Sequence, residues 1–214
     1  MEVEDLATAN LSWDLSKGPV PHQLQGKAVD HCLLEILGYN NGANHATLRL
    51  VFERPQIQAS PYAPANTQGV RMELEVQDDT GPGPVEGQLV VTTFTFTGAH
   101  RKARVSHGLL VKSGRTVGDF INVAEKVNLT PCDFNSMGSE AAGCRDFISQ
   151  FIYHLDRHDV LLLPNDKAAS VYDIFNWRYS AGGAARIPKA IHYAAFNHNY
   201  QHIDIAGCVY DTST

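Results

Sequence analysis

The sequence has no run of apolar residues approaching the roughly 20 that a bilayer crossing requires. Its first residues, MEVEDLATANLSWDLSKGP, are acidic where a secretory leader would be apolar. A chain without a membrane span or a secretion signal is expected, and the cytoplasm is its expected location. Cysteine is scarce: Cys32, Cys132, Cys144 and Cys208 are spread without CxxC spacing, which argues for reduced thiols rather than a disulfide framework. Basic charge is also sparse, with 17 Lys and Arg against 23 Asp and Glu and a net charge of −6. Phosphate neutralisation needs a basic face, so nucleic acid is not expected as a partner. The densest basic run, HRKAR at 100–104, reads as a solvated turn. GxGxxG, Walker A, GxSxG and HExxH motifs are all missing, which removes dinucleotide, ATP, serine-hydrolase and zincin readings; no cofactor and no metal are expected.

What is present fits a folded globule, 43% hydrophobic and 19% charged over 214 residues. Residues 1–28 lack sustained periodicity and read as an N-terminal arm. Within 29–162, VDHCLLEILG, HATLRLVFE, VRMELEV, GQLVVTTFTFTG and ARVSHGLLVK alternate or are β-branched, the pattern of strands. Ala46, Leu48, Leu50 and Phe52 share one face of the second segment, with His45, Thr47 and Arg49 on the other. In the third, Val70, Met72, Leu74 and Val76 oppose Arg71, Glu73 and Glu75. NNGAN and QDDTGPGP supply turns, and RPQIQASPYAPANTQG reads as an exposed insertion. Two helices follow: TVGDFINVAEKV, with Thr116 and Asp119 as a capping box, and a second carrying the stripe Phe147, Ile148, Phe151, Ile152 and Leu155. Strands in a block followed by helices make the expected fold α+β, an antiparallel sheet of about five or more strands against two helices. The aromatic-rich extension, 163–214, is expected to pack on this core or cover a pocket, as a helix, a lid or a strand returning to the sheet.

Cys144 stands after Gly143 and just before the apolar stripe. At a helix start, unpaired N–H groups and the dipole favour thiolate. With Ser139 as the cap the thiol would lie beyond the first turn, and a small buried core residue is the other reading. A cysteine nucleophile needs a base and an orienting group; His45 and Glu73, both on polar faces of neighbouring strands, are the candidates. The Cys144 stripe belongs to the opposite, apolar face, so the three meet only where the helix end reaches past the strand ends. Arg71 and Arg145 are candidates for substrate binding, Arg145 also for a developing oxyanion or simply a surface charge. Trp177 and Tyr179, with Tyr172, Phe175, Tyr193 and Phe196, would line an apolar ligand pocket or complete the core. His154/His158 and His198/His202 have i, i+4 spacing, which a zinc site uses and a helix C-terminus also favours.

NHATLRLVF, VRMELEV, GRTVGDFI and GCRDFISQFIYHL together resemble an uncharacterised family of small fungal proteins whose pattern runs Asn-His-Trp, Val-Arg-Leu-Asp-Met, a Thr-Val-Gly-Asp-Phe-like helix start and Gly-Cys-Arg-Tyr-Trp. The resemblance covers roughly residues 29 to 162. Here Ala46 replaces the Trp, Glu73 the Asp, and Asp146-Phe147 the Tyr-Trp. The order of His, polar residue and late Cys is similar to that of permuted papain-like enzymes of the lecithin retinol acyltransferase type. That resemblance implies His45 as general base, Glu73 as orienter and Cys144 as nucleophile. It also implies acyl transfer, hydrolysis or ring closure on an apolar, polyketide-like small molecule of fungal secondary metabolism. A non-covalent cyclase using the same pocket, and a non-catalytic binding or interaction protein, are the rival expectations. Oligomeric state is left open, a homodimer included.

Overall fold

The computed structural model describes residues 10–38, 44–76, 85–96, 98–130, 132–137, 140–180, 185–196 and 199–211. Most of the NNGAN turn, the QDDTGPGP turn, Ser139 and His198 lie outside the described residues. The chain runs β1 (Ser12–Asp14), α1 (His22–Gln25), β2 (Val29–Gly38), β3 (Asn44–Gln56), β4 (Thr67–Val76), β5 (Val85–Phe94) and β6 (Ala103–Val111). It continues through α2 (Val117–Lys126), β7 (Cys132–Met137), β8 (Glu140–Ala142), α3 (Cys144–Arg157) and β9 (Leu161–Leu162). The extension forms α4 (Asn165–Asp173), a single 3₁₀ turn, β10 (Trp177–Tyr179), β11 (Arg186–Pro188) and β12 (Ala195–Phe196). The fold is α+β. No helix among the described residues is long and apolar enough to cross a membrane.

The main sheet has the order β12-β7-β5-β4-β3-β2-β6-β9, with antiparallel pairing throughout. The five central strands are those the alternation predicts, but β6 joins β2 rather than β5. The β5–β6 connection therefore crosses one face of the sheet, and the His100 N–H bonds to Glu35 Oε1 at 3.1 Å.

Period-two alternation sorts the strands into two faces. Cys32, Leu34 and Ile36 of β2, Ala46, Leu48 and Leu50 of β3, and Val70, Met72 and Leu74 of β4 are buried on one of them. α2 and α3 cover that face. Thr116 and Asp119 form the capping box of α2, the Thr116 N–H donating to Asp119 Oδ2 at 2.7 Å. The α3 stripe Phe147, Ile148, Phe151, Ile152 and Leu155 is fully buried, each side chain contributing about 1.5–3 kcal/mol.

The other face carries polar and charged residues that are themselves buried, among them Glu35, Thr47, Arg49 and Glu73. The N-terminal arm adds β1 beside β5, and Val20 and Leu24 enter the core. The extension supplies both a helix and a returning strand, since β12 pairs with β7. Its Phe175, Tyr172 and Tyr179 are core residues.

Candidate active site

β3 and β4 pair so that Thr47 faces Glu73, which puts His45 one diagonal step away on the same face. The imidazole uses that step: His45 Nε2 lies 3.1 Å from Glu73 Oε2. Glu73 Oε1 accepts from Arg71 Nε at 2.5 Å, so the carboxylate is held between an imidazole and a guanidinium. Burial would raise the Glu73 pKa, but the hydrogen bonds and charges of His45 and Arg71 overcome it and hold the group below the usual carboxylate range.

The thiol arrives from the other layer. α3 begins at Cys144 itself, with Gly143 as its cap at φ 128°. That backbone angle favours glycine, and it turns the chain abruptly from β8 into the helix. Cys144 is therefore the first helical residue, beside N–H groups that have no partner within the helix and at the positive end of the dipole. The start of α3 overlies the start of β3, where Sγ lies 4.0 Å from the Asn44 carbonyl oxygen. His45 is only the second residue of that strand, so its ring reaches past the strand end to the sulfur.

The imidazole and the Ala46 N–H both act on the sulfur. Cys144 is 8% exposed. Burial raises its pKa; the His45 charge and hydrogen bond, the Ala46 N–H and the Arg145 charge more than reverse this and lower it. Burial likewise lowers the His45 pKa, and the neighbouring sulfur and carboxylate push it well above its ordinary value. The two opposite shifts favour a thiolate–imidazolium pair.

Other residues singled out in the sequence have different settings. Arg145 is half-buried against the extension. Its guanidinium donates to the carbonyls of Phe175 (2.6 Å), Lys189 (3.1 Å) and Ala190 (3.0 Å), clamping the extension to α3 while its charge stays near the sulfur. Tyr179 reaches the site through its backbone: its N–H donates to Asn44 Oδ1 at 2.6 Å, next to His45. The Trp177 indole donates to Asp173 at 3.0 Å, and Arg186 lies over its ring at 4.1 Å. His154 bonds the Tyr200 hydroxyl and His202 the Asp146 carboxylate. Among the described residues no cluster of three or more His, Cys, Asp or Glu is arranged to hold a metal ion.

Sequence reasoning missed Asn44 as the link to the extension and the buried anchors Asp146 and Gln150. Asp146 accepts the Ala194 N–H at 2.7 Å, and Gln150 accepts the Tyr200 hydroxyl at 2.6 Å and the Ile203 N–H at 3.1 Å. Nothing in the sequence marked them, since both sit among the other polar residues of α3. No protein-family model, curated protein or solved structure matches the chain.

Proposed function

We propose that the protein is a cysteine-dependent acyl-transfer enzyme acting on an ester or thioester of an apolar small molecule. The observation that carries this reading is the contact chain from Cys144 through His45 to Glu73, with the thiol at the first position of a helix. In the first step the Cys144 thiolate attacks the acyl carbon and a C–S bond forms. The carbonyl oxygen becomes an oxyanion beside the N–H groups of the helix start. The His45 imidazolium gives its proton to the leaving oxygen or sulfur as that bond breaks, leaving an acyl-enzyme and a neutral ring.

In the second step His45 takes a proton from water or from a hydroxyl of the substrate, whose oxygen attacks the acyl carbon. Collapse releases the Cys144 thiolate and gives hydrolysis or ring closure respectively. Glu73, braced by Arg71, keeps the ring oriented and balances its charge throughout. The motif order similar to permuted papain-like acyltransferases supports the same chemistry. The fungal resemblance supports a polyketide-like substrate and a biosynthetic setting. A thiol that must stay reduced suits the cytoplasm.

The test is acylation by a panel of aryl esters and thioesters, read by mass spectrometry of the intact protein and its peptides. The reading predicts an acyl mass on the Cys144 peptide, absent in Cys144→Ala and slowed in His45→Ala. Turnover that survives Cys144→Ala but not His45→Ala would instead favour a cyclase with no covalent step.

A further inference from the structure

The polar face of the sheet continues past the triad into a second cluster, centred on Arg49, that shares only Arg71 with the acyl-transfer site. On β3, Arg49 shares a face with His45, and across the strand pair it faces Arg71. Its side chain is wholly buried, yet none of its three guanidinium nitrogens has a hydrogen-bond partner among the described residues. Glu35 Oε1 approaches Nη2 at 3.3 Å as an ion pair while accepting the His100 N–H, its Oε2 is also buried without a hydrogen bond among the described residues, and burial raises the Glu35 carboxyl, which weakens it as the partner of Arg49. Buried donors left without acceptors are costly, and an arginine with three such nitrogens points to a missing partner.

The surroundings fit an anion. Arg49 borders a cavity of about 40 Å³, which Arg71, Thr92, Thr93 and His100 also line, more room than one water occupies. The rings of Phe94 and Phe96 each lie 5.0 Å from the Arg49 carbon centre, contacts that serve the charge but accept none of its in-plane N–H bonds. Gly69 makes room for the first of these: a Cβ there would fall 2.6 Å from the Phe94 ring and 2.0 Å from the Leu50 carbonyl oxygen. The His100 pKa falls to about 4 through burial and the charges of Arg71, Lys102 and Arg101, the last two from the exposed HRKAR turn.

We propose that this cavity binds a small monoanion of the carboxylate class, its two oxygens taken by the in-plane N–H groups of Arg49, with Arg71 as the second positive charge. A planar carboxylate matches a guanidinium edge. Glu35 and Glu73 already offset part of the charge of Arg49 and Arg71, which disfavours a phosphate dianion. The site stands on Arg49 and its cavity, whether or not Cys144 is a nucleophile.

The test is a titration of the whole protein with sodium acetate and sodium benzoate, against inorganic phosphate and chloride at matched ionic strength. It reads the ¹⁵Nε–Hε resonance of Arg49 and the melting temperature. Expected are a saturable shift of that resonance and a saturable rise in Tm with a carboxylate, and loss of the Tm rise in Arg49→Gln. Should that variant fail to fold, the wild-type resonance decides by itself. A resonance unmoved by either carboxylate, or moved as much by chloride, overturns the proposal and leaves a water-filled cavity. A stronger response to phosphate overturns the assigned ligand class. None of these readouts involves the thiol, so an inert Cys144 and an empty Arg49 cavity are separate outcomes.

Discussion

Two buried cysteines lie in the same core and meet opposite fates. Cys32 sits mid-strand in β2, and Cys144 opens α3; neither is more than 8% exposed. Burial raises both thiols. At Cys32 the nearby Glu35 carboxylate adds to the effect and Arg49 only partly offsets it, so the group is driven far up. At Cys144 the imidazole, the Ala46 N–H and Arg145 turn the balance the other way. Depth therefore does not decide the state of a thiol here. What decides it is whether the buried site supplies a cation and donors at the sulfur.

The sharpest break of this pairing is chemical. Iodoacetamide at pH 7 should modify Cys144 at least about a hundredfold faster than Cys32, since an ordinary thiol is only a few per cent ionised there. Peptide mass spectrometry separates the two sites. Replacing His45 with Ala should cost Cys144 about a hundredfold in that rate, because burial is then opposed only by weaker partners, and the two cysteines should approach each other. Glu73→Gln should cost about tenfold, as the ring loses its orienting carboxylate but keeps its contact with the sulfur.

The same variants change stability with pH. The folded His45 pKa is raised, so its contribution is fully present below the ordinary histidine range and is lost as pH rises through the folded value. Glu73 is lowered, so its contribution is present above the ordinary carboxylate range and is lost as pH falls through the folded value. Melting curves should therefore show His45→Ala weakening the protein least at alkaline pH, and Glu73→Gln weakening it least in acid. The smallest effect on the thiol is expected from Arg145→Ala, a several-fold slowing from its lost charge. Its larger consequence lies elsewhere: loss of the clamp should cost about 1–3 kcal/mol and open residues 163–214 to limited proteolysis.

Alternation along HATLRLVFE and VRMELEV made the two sheet faces legible, and with them the pairing of His45 and Glu73. The α3 stripe was legible for the same reason. Where the helix begins was not: Ser139 and Gly143 both suit a helix start, and only the positive φ at Gly143 puts the thiol at the first position. Nor was the meeting of faces, which depends on α3 overlying the first residues of β3. β6 pairs with β2 across a long sequence separation that no local pattern encodes. Ser12–Asp14 is too short to show a period, so β1 was invisible. Arg145, Asp146 and Gln150 looked like ordinary helix polarity because their partners are backbone and ring groups of a distant extension.

The most direct measurement is the alkylation rate of Cys144 in the native protein as a function of pH, followed on its own peptide. A charge pair at the mouth of α3 predicts a rate already on its plateau at neutral pH, with a midpoint well below the ordinary thiol value of about 8.5. A midpoint at or above that value, shared with the His45→Ala variant, would contradict it and make Cys144 another packed core residue.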